Sequence, residues 1–213
     1  MMKKNTPLRA AFRTALTMLV FAALGTALLA YVFELTRPTI AKSEEAAKLS
    51  LVAQVLPANL FDNDILQDTL SLPASTMLGQ TADSLVYRAR LQGKPAAVVL
   101  EVVAPDGYSG KINLLVGISA QGAVTGVRVV AHKETPGLGD YIEIVKSAWI
   151  KAFDGGSINP AAPEKWAVKK DGGQFEYRAG ATITPRAVVK AVKQALQYYE
   201  QNKMQLFAAV PSR

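Results

Sequence analysis

The order of apolar and polar positions divides the chain into one long apolar run, a strand-rich middle and a final helix. Residues 14–33 read TALTMLVFAALGTALLAYVF and contain no charged side chain. A helix of this length rises about 30 Å, which matches the hydrocarbon core of a bilayer. The run therefore predicts a single transmembrane helix.

The flanks of this run predict its orientation and its retention. Lys3, Lys4, Arg9 and Arg13 precede it with no acidic residue among them. Such a positive flank keeps the N-terminus in the cytoplasm, so that the chain after the helix is exported. The alternative, a cleaved signal peptide, has a shorter apolar region followed at once by small residues. Bulky residues occupy that place here, at 31–35 (YVFEL), which favours an uncleaved anchor.

The rest of the chain predicts strands followed by helices. Apolar positions at helical spacing over 39–56 predict a stalk or packing helix. Runs rich in Val, Ile and Leu, bounded by Gly or Pro turns, predict strands at 85–90, 96–104, 111–119 and 124–132. Short turns favour antiparallel hairpins or a meander. Further elements are predicted as helices at 141–153 and 185–204 and as a short strand at 166–168, with no clear element over 57–83.

This order of elements predicts an α+β fold, in which one globular domain with antiparallel strands and flanking helices follows the anchor. The predicted divisions are a cytoplasmic segment at 1–13, the transmembrane helix at 14–33, a helical stalk and connecting segment at 34–83, the domain at 84–205 and a C-terminal tail at 206–213.

Composition excludes several functions. The net charge is +7, but four of the basic residues precede the anchor, and the remainder are dispersed, so the chain lacks a nucleic-acid footprint. There is no cysteine and only one histidine, His132. Iron–sulfur ligation, thiol nucleophiles and two-histidine metal motifs are therefore excluded. The chain also lacks a G-x-S-x-G elbow, a Walker loop and a G-x-G-x-x-G fingerprint.

The start of the last helix is the most informative local feature. Residues 179–186 read AGATITPR, and Pro185 at a first helical position predicts Thr184 as the N-cap. Thr182 would then lie just before a helix N-terminus, whose N–H groups and partial positive charge favour a phosphate esterified to its hydroxyl. Arg186 would add positive charge. Taken alone, the pattern favours the simpler interpretation, a capped helix after a glycine turn.

Two further loops are rich in glycine. Residues 134–140 read ETPGLGD, and glycines on both sides of Leu138 allow a sharp turn or a close approach to a ligand. Residues 106–110 read DGYSG and place Tyr108 in a hairpin turn. Each of them alone also fits an ordinary connection.

Taken together, these segments occur in an order that is typical of one family. The segments are 104–110 (APDGYSG), 132–139 (HKETPGLG), 166–173 (WAVKKDGG) and 180–182 (GAT) before a helix. In this order the chain resembles the FMN-binding domain family of membrane redox pumps. The similarity is closest to the G subunits of Rnf/Rsx complexes, which are ion-translocating ferredoxin:NAD oxidoreductases. A related domain occurs in the C subunit of the sodium-pumping NADH:quinone reductase.

The resemblance implies a covalently bound cofactor. In the family, FMN is joined through its phosphate to the Thr that ends a Ser/Thr-Gly-Ala-Thr motif, and here that residue is Thr182. A separate flavin transferase makes the bond with FAD as donor. The chain departs from the motif at Ala179, but the acceptor hydroxyl is intact. Thr184 is the nearest alternative acceptor, which its predicted role as N-cap disfavours.

The resemblance and the local physics together predict an FMN site with two parts. The phosphate end comprises Gly180, Ala181, Thr182, Thr184 and Arg186. The wall near the isoalloxazine ring comprises Glu134, Thr135, Gly137, Leu138, Gly139 and Tyr108. Leu138 would provide apolar contact, and the glycines would let main-chain N–H groups reach the ring.

The resemblance predicts an electron-carrying subunit of a membrane-bound, ion-translocating electron transport complex, with no stand-alone catalytic activity. Its expected partners are the other membrane subunits of an Rnf/Rsx-type complex, a flavin transferase for maturation and the lipid bilayer. Its domain would lie on the periplasmic side of the inner membrane. The alternative is a membrane-anchored extracytoplasmic binding module without a cofactor.

Overall fold

The structure, a computed structural model, describes residues 7–208. The side chains at 7, 8, 39, 41, 42, 44, 45 and 48 are not among those described, and Lys3, Lys4 and positions 209–213 of the predicted tail also lie outside. Contacts divide the chain into two compact units, Met1–Lys48 and Leu49–Arg213.

The first helix, α1, runs without a break from Pro7 to Val55. Its segment Arg9–Pro38 is long and apolar enough to cross a membrane. The predicted span and the predicted stalk are thus parts of one helix, which continues through Pro38. A proline removes one main-chain hydrogen bond, and the helix-forming residues on both sides sustain the helix across that gap.

A five-stranded antiparallel sheet forms the centre of the second unit, with its strands in chain order from β1 to β5. The strands are β1 (Thr69–Leu72), β2 (Ser84–Leu91), β3 (Lys94–Ala104), β4 (Ile112–Ser119) and β5 (Val124–Ala131). The four predicted strands are confirmed within a few residues, and the predicted meander is the observed topology. The α+β class is confirmed as well, since one long helix, α2 (Ile183–Leu206), follows the sheet.

Alternation along the strands builds two cores, one on each face of the sheet. In β3, Val98 and Leu100 point into one core, whereas Ala97 and Val99 point into the other. The apolar side of α2 packs on the first face, where Tyr199 is fully buried. Successive side chains of a strand point to opposite faces, so a strand with two covered faces is apolar throughout.

The end of α1 covers the second face and is held very closely. Val52 and Val55 are buried there, and the hydroxyl of Thr125 donates a hydrogen bond of 2.6 Å to the carbonyl oxygen of Val55. A Cβ on Gly117 would lie 2.5 Å from that oxygen, and a Cβ on Gly126 would lie 2.8 Å from the Val55 Cα. The two glycines therefore make room for the helix main chain.

The helix predicted over 141–153 is wrong. The structure has two short 3-10 helices there, Asp140–Ile142 and Ala148–Phe153. Ser147 separates them in an extended conformation, and its hydroxyl accepts a hydrogen bond of 3.0 Å from the N–H of Trp149. That local cap stops a helix from propagating through the segment. The strand predicted at 166–168 is reduced to an isolated bridge between Val168 and Phe175.

Candidate functional site

The last helix begins two residues earlier than the sequence predicts. Its first residue is Ile183 and its N-cap is Thr182, so the assignment of Thr184 as N-cap is wrong. Pro185 is compatible with this start because a residue of the first turn needs no main-chain N–H. The Thr182 side chain is half-buried and makes no capping hydrogen bond. Its hydroxyl is therefore available for another role.

A tight turn presents Thr182. The N–H of Ala181 donates a hydrogen bond of 3.1 Å to the carbonyl oxygen of Arg178, and the two residues form an isolated antiparallel bridge. Gly180 has a φ of +81°, a conformation that favours glycine. No atom lies within 4 Å of the place where its Cβ would be, so the space beside the turn is open.

The buried carboxylate of Glu134 connects its own loop with the loop of Tyr108 and with the start of α2. Glu134 is 4% exposed, and its Oε2 accepts a hydrogen bond of 2.5 Å from the hydroxyl of Thr184, which is 1% exposed. Its Oε1 accepts a hydrogen bond of 3.1 Å from the N–H of Ser109. Hydrogen bonds to an ionised acceptor are about twice as strong as neutral ones. Glu134 thus ties the loop of Tyr108 to the first turn of α2.

Two glycines make this arrangement possible. A Cβ on Gly139 would lie 2.8 Å from Glu134 Oε2 and 2.9 Å from the Thr184 hydroxyl. A Cβ on Gly107 would lie 2.8 Å from Glu134 Oε1. All of these distances are shorter than a van der Waals contact, so any larger residue would displace the carboxylate.

The imidazole of His132 supports the main chain of Glu134. Its Nδ1 accepts a hydrogen bond of 2.9 Å from the N–H of Glu134, and its Nε2 lies 2.6 Å from Glu143 Oε1. An imidazole that accepts at Nδ1 carries its proton at Nε2, where it can donate to the carboxylate. A hollow of about 400 Å³ opens beside this pair, and Thr182 is not among the residues that line it.

The loop from Thr135 to Gly139 satisfies its own amides. The N–H groups of Leu138 and Gly139 each donate a hydrogen bond of 3.1 Å to the carbonyl oxygen of Thr135. The N–H of Gly137 donates one of 2.9 Å to Asp140 Oδ1. These amides are therefore occupied, and the hypothesis that they reach a flavin ring gains no support from the geometry.

Apolar side chains of the same loops remain open to solvent. Tyr108 is 68% exposed, Leu138 is 51% exposed and Ile183, the first residue of α2, is 45% exposed. The hydrogen bonds of Glu134 bring the segments that carry these side chains together. Apolar surface of this kind, beside a hydroxyl without a capping bond, is compatible with an aromatic ligand joined at Thr182.

The cationic side chains of the first turns of α2 already have acidic partners. Arg186 forms two hydrogen bonds to Asp171, of 2.6 and 2.7 Å, and Lys190 pairs with Asp106 at 2.5 Å. The Arg186 guanidinium holds the pKa of the Asp171 carboxyl below its usual range through these hydrogen bonds. Arg186 thus lies near the helix start as predicted, but its charge is neutralised by Asp171.

Sequence reasoning missed the pair formed by Arg178 and Tyr141. The guanidinium carbon of Arg178 lies 4.4 Å from the centroid of the Tyr141 ring, which is 2% exposed. Burial raises the pKa of Tyr141, and the nearby Arg178 partly offsets the rise. The sequence feature that could have indicated this pair is the basic residue immediately before the segment 179–182. Ser109 and His132 were likewise not expected to contact Glu134 or its neighbours.

The residues present fit FMN at the phosphate end and offer apolar surface for its ring. The observations that support the fit are the uncapped, half-buried hydroxyl of Thr182, the open space beside Gly180 and the exposed apolar side chains of Tyr108 and Leu138. These features suit a ligand held at one point that lies along an open surface.

Two family models match the chain. The model of the FMN-binding domain matches residues 107–197, and the model of the RnfG N-terminal region matches residues 1–55. The first match contains the loop of Tyr108, the loop of Glu134 and the turn that presents Thr182.

Proteins named as the G subunit of the ion-translocating oxidoreductase complex are similar over most of the chain. The protein of Pseudomonas aeruginosa (strain UCBPP-PA14) is 49% identical over 200 residues, which cover 94% of this chain and 94% of its own length. That of Photorhabdus laumondii subsp. laumondii is 50% identical over 188 residues, which cover 88% of this chain and 90% of its own length. That of Vibrio atlanticus (strain LGP32) is 42% identical over 201 residues, which cover 94% and 96% respectively.

Proposed function

Because this chain belongs to the family of ion-translocating oxidoreductase complex G subunits, we propose that it carries electrons within such a membrane complex through bound FMN. The match of the FMN-binding domain to residues 107–197 is the observation that carries this proposal. Bound FMN supplies the redox chemistry, whereas the chain holds and orients it. No stand-alone catalytic activity is expected of the chain, which would exchange electrons with other subunits of the complex.

The FMN is joined covalently through its phosphate to Thr182. The uncapped hydroxyl of Thr182 and its position at the N-terminus of α2 support this assignment, because the helix end favours an anion. A flavin transferase would use FAD as donor. The pyrophosphate bond breaks, the phosphorus of the FMN half bonds to Thr182 Oγ1 and AMP leaves with the bridging oxygen. The hydroxyl proton passes to the departing phosphate or to water.

Thr184 is a poor acceptor by comparison. Its side chain is 1% exposed, and its hydroxyl donates to the Glu134 carboxylate at 2.5 Å. Esterification there would break a buried hydrogen bond and leave a carboxylate oxygen unpaired, at a cost of about 1–3 kcal/mol. Ala179 occupies an exposed position in the turn before Thr182, so the missing hydroxyl of the family motif leaves no unpaired group inside the fold.

The domain lies on the periplasmic side of the inner membrane, and the N-terminus is cytoplasmic. The apolar segment Arg9–Pro38 and the basic residues at its start support this orientation. The partners are then the other membrane subunits of an Rnf/Rsx-type complex, the flavin transferase and the bilayer.

The assignment of Thr182 is tested by in-gel flavin fluorescence of the full chain matured together with a flavin transferase. Thr182→Val should abolish the fluorescent band, whereas Thr135→Val, in an exposed loop of the same site, should retain it. Mass spectrometry of the wild-type peptide that contains Thr182 should find one added FMN less water. A fluorescent Thr182→Val protein would contradict the assignment. A colourless wild-type protein would instead favour the cofactor-free binding module.

A further inference from the structure

A flavin phosphate joined to Thr182 leaves one negative charge to be balanced. The N-terminal end of α2 contributes a partial positive charge, equivalent to about half a unit charge. The basic side chains of the first turns are already paired, since Arg186 binds Asp171 and Lys190 binds Asp106. A protein counter-charge for the phosphate would therefore come from another element.

Arg178 is placed to provide it. This residue opens the turn that presents Thr182, and its carbonyl oxygen accepts the 3.1 Å hydrogen bond from Ala181. Its side chain is exposed, and no carboxylate lies within 4.0 Å of it in the part of the chain that the structure describes. A guanidinium can donate two parallel hydrogen bonds to a phosphate.

Tyr141 fixes this guanidinium in place. The Arg178 guanidinium carbon lies 4.4 Å from the centroid of the buried Tyr141 ring, a distance at which a cation is attracted to an aromatic face. The Tyr141 hydroxyl is buried and has no hydrogen-bond partner among the described residues. The face of the Tyr141 ring therefore limits the positions that the Arg178 guanidinium can take beside the turn.

We propose that Arg178, held on the face of Tyr141, is the cation that binds the phosphodiester at Thr182. The inference rests on the attachment of FMN proposed above and adds the residue that neutralises it. It also assigns Arg186 a different role, which is to bind the Asp171 loop to α2.

The test is a thermodynamic cycle on the full chain in detergent. Wild type and Arg178→Gln are each prepared with and without co-expressed flavin transferase, and intact mass establishes the flavin content. Urea unfolding is followed by far-ultraviolet circular dichroism in all four proteins. The cycle isolates the interaction between Arg178 and the phosphate because the stacking on Tyr141 is lost equally with and without flavin.

Arg178→Gln should raise the unfolding equilibrium constant about 1.5-fold to fivefold more in the flavinylated than in the flavin-free chain, the range of an exposed ion pair. The difference should shrink at 1 M salt. Arg178→Lys should retain part of it, and Tyr141→Phe, which keeps the ring face, should retain it in full. Arg186→Gln is the matched control, and its effect should be equal in both forms.

Equal effects of Arg178→Gln in the two forms would overturn the proposal, and so would a flavin-dependent effect found only with Arg186→Gln. The absence of an adduct on Thr182 in the wild-type mass spectrum would overturn the proposed attachment as well. The intact mass therefore separates failure of the attachment from failure of the role assigned to Arg178.

Discussion

The hydrogen bond between Glu134 and Thr184 should be worth more to the site than any other single side-chain contact in it. The two side chains are 4% and 1% exposed, and their oxygens lie 2.5 Å apart. We consider Glu134→Gln, which keeps the shape of the side chain and removes its charge, together with Thr184→Val, which removes the hydroxyl.

The structure sets the expected magnitudes. A net contribution of about 1.5–3 kcal/mol is typical of a hydrogen bond to a charged group. The glutamine oxygen of Glu134→Gln can still accept from the Ser109 N–H, and the Thr184 hydroxyl can rotate to accept from the new amide, so this change should cost only about 1–2 kcal/mol. Thr184→Val leaves a buried carboxylate oxygen without its donor and should cost about 2–3 kcal/mol.

The pair should couple in a double-mutant cycle. Urea unfolding of the flavin-free full chain in detergent should give a double variant more stable than the sum of the single effects by about 1 kcal/mol or more. Both single variants should also reduce the fraction of chains that a transferase flavinylates, because the contact holds the first turn of α2 against two loops. Additive free energies, or a Thr184→Val variant as stable as wild type, would refute the reasoning.

Two further predictions concern the end of α1 that packs on the sheet and the orientation of the anchor in the membrane. Gly126→Ala should destabilise the domain by about 2 kcal/mol, because the new Cβ would lie 2.8 Å from the Val55 Cα. Gly25→Ala is the control, since no atom lies within 4 Å of the place where its Cβ would be. Equal unfolding midpoints of the two variants would contradict this reasoning. Alkaline phosphatase fused after residue 208 should be active in intact cells, whereas a fusion after Arg13 should be inactive. The reverse result would place the domain in the cytoplasm.

The strands β2 to β5 were predictable because each is a run of β-branched and aliphatic residues bounded by a short turn. The strand β1 was not, because Thr69–Leu72 is only four residues long and has its place through pairing with β2. The segment that follows Gly139 has helical spacing but forms 3-10 turns, since the Trp149 indole N–H donates a hydrogen bond to the carbonyl oxygen of Glu176 and Phe153 stacks on Phe175. Such long-range contacts leave no periodic signal in the sequence.

The candidate site was predictable in its parts and not in its internal organisation. The motifs identified Thr182 and the loops of Tyr108 and Glu134, but nothing local indicates that a glutamate between His132 and a proline-containing loop is buried. The N-cap was misassigned for the same reason. Pro185 favours a nearby helix start, whereas the distant Glu134 takes the Thr184 hydroxyl and lets the helix extend to Ile183.

The contrast between buried, hydrogen-bonded side chains and exposed apolar ones in the candidate site gives a reason for covalent attachment of the flavin. Groups that organise the loops are buried and satisfied, as in the pair of Glu134 and Thr184. Groups that would face the flavin are exposed, as Leu138 and Tyr108 are. Pockets that retain a ligand of this size without a covalent bond bury about 70–90% of its surface. An open surface of this kind cannot supply such burial, but it leaves the ring accessible to other redox centres, so we expect a phosphoester to supply the retention that burial does not.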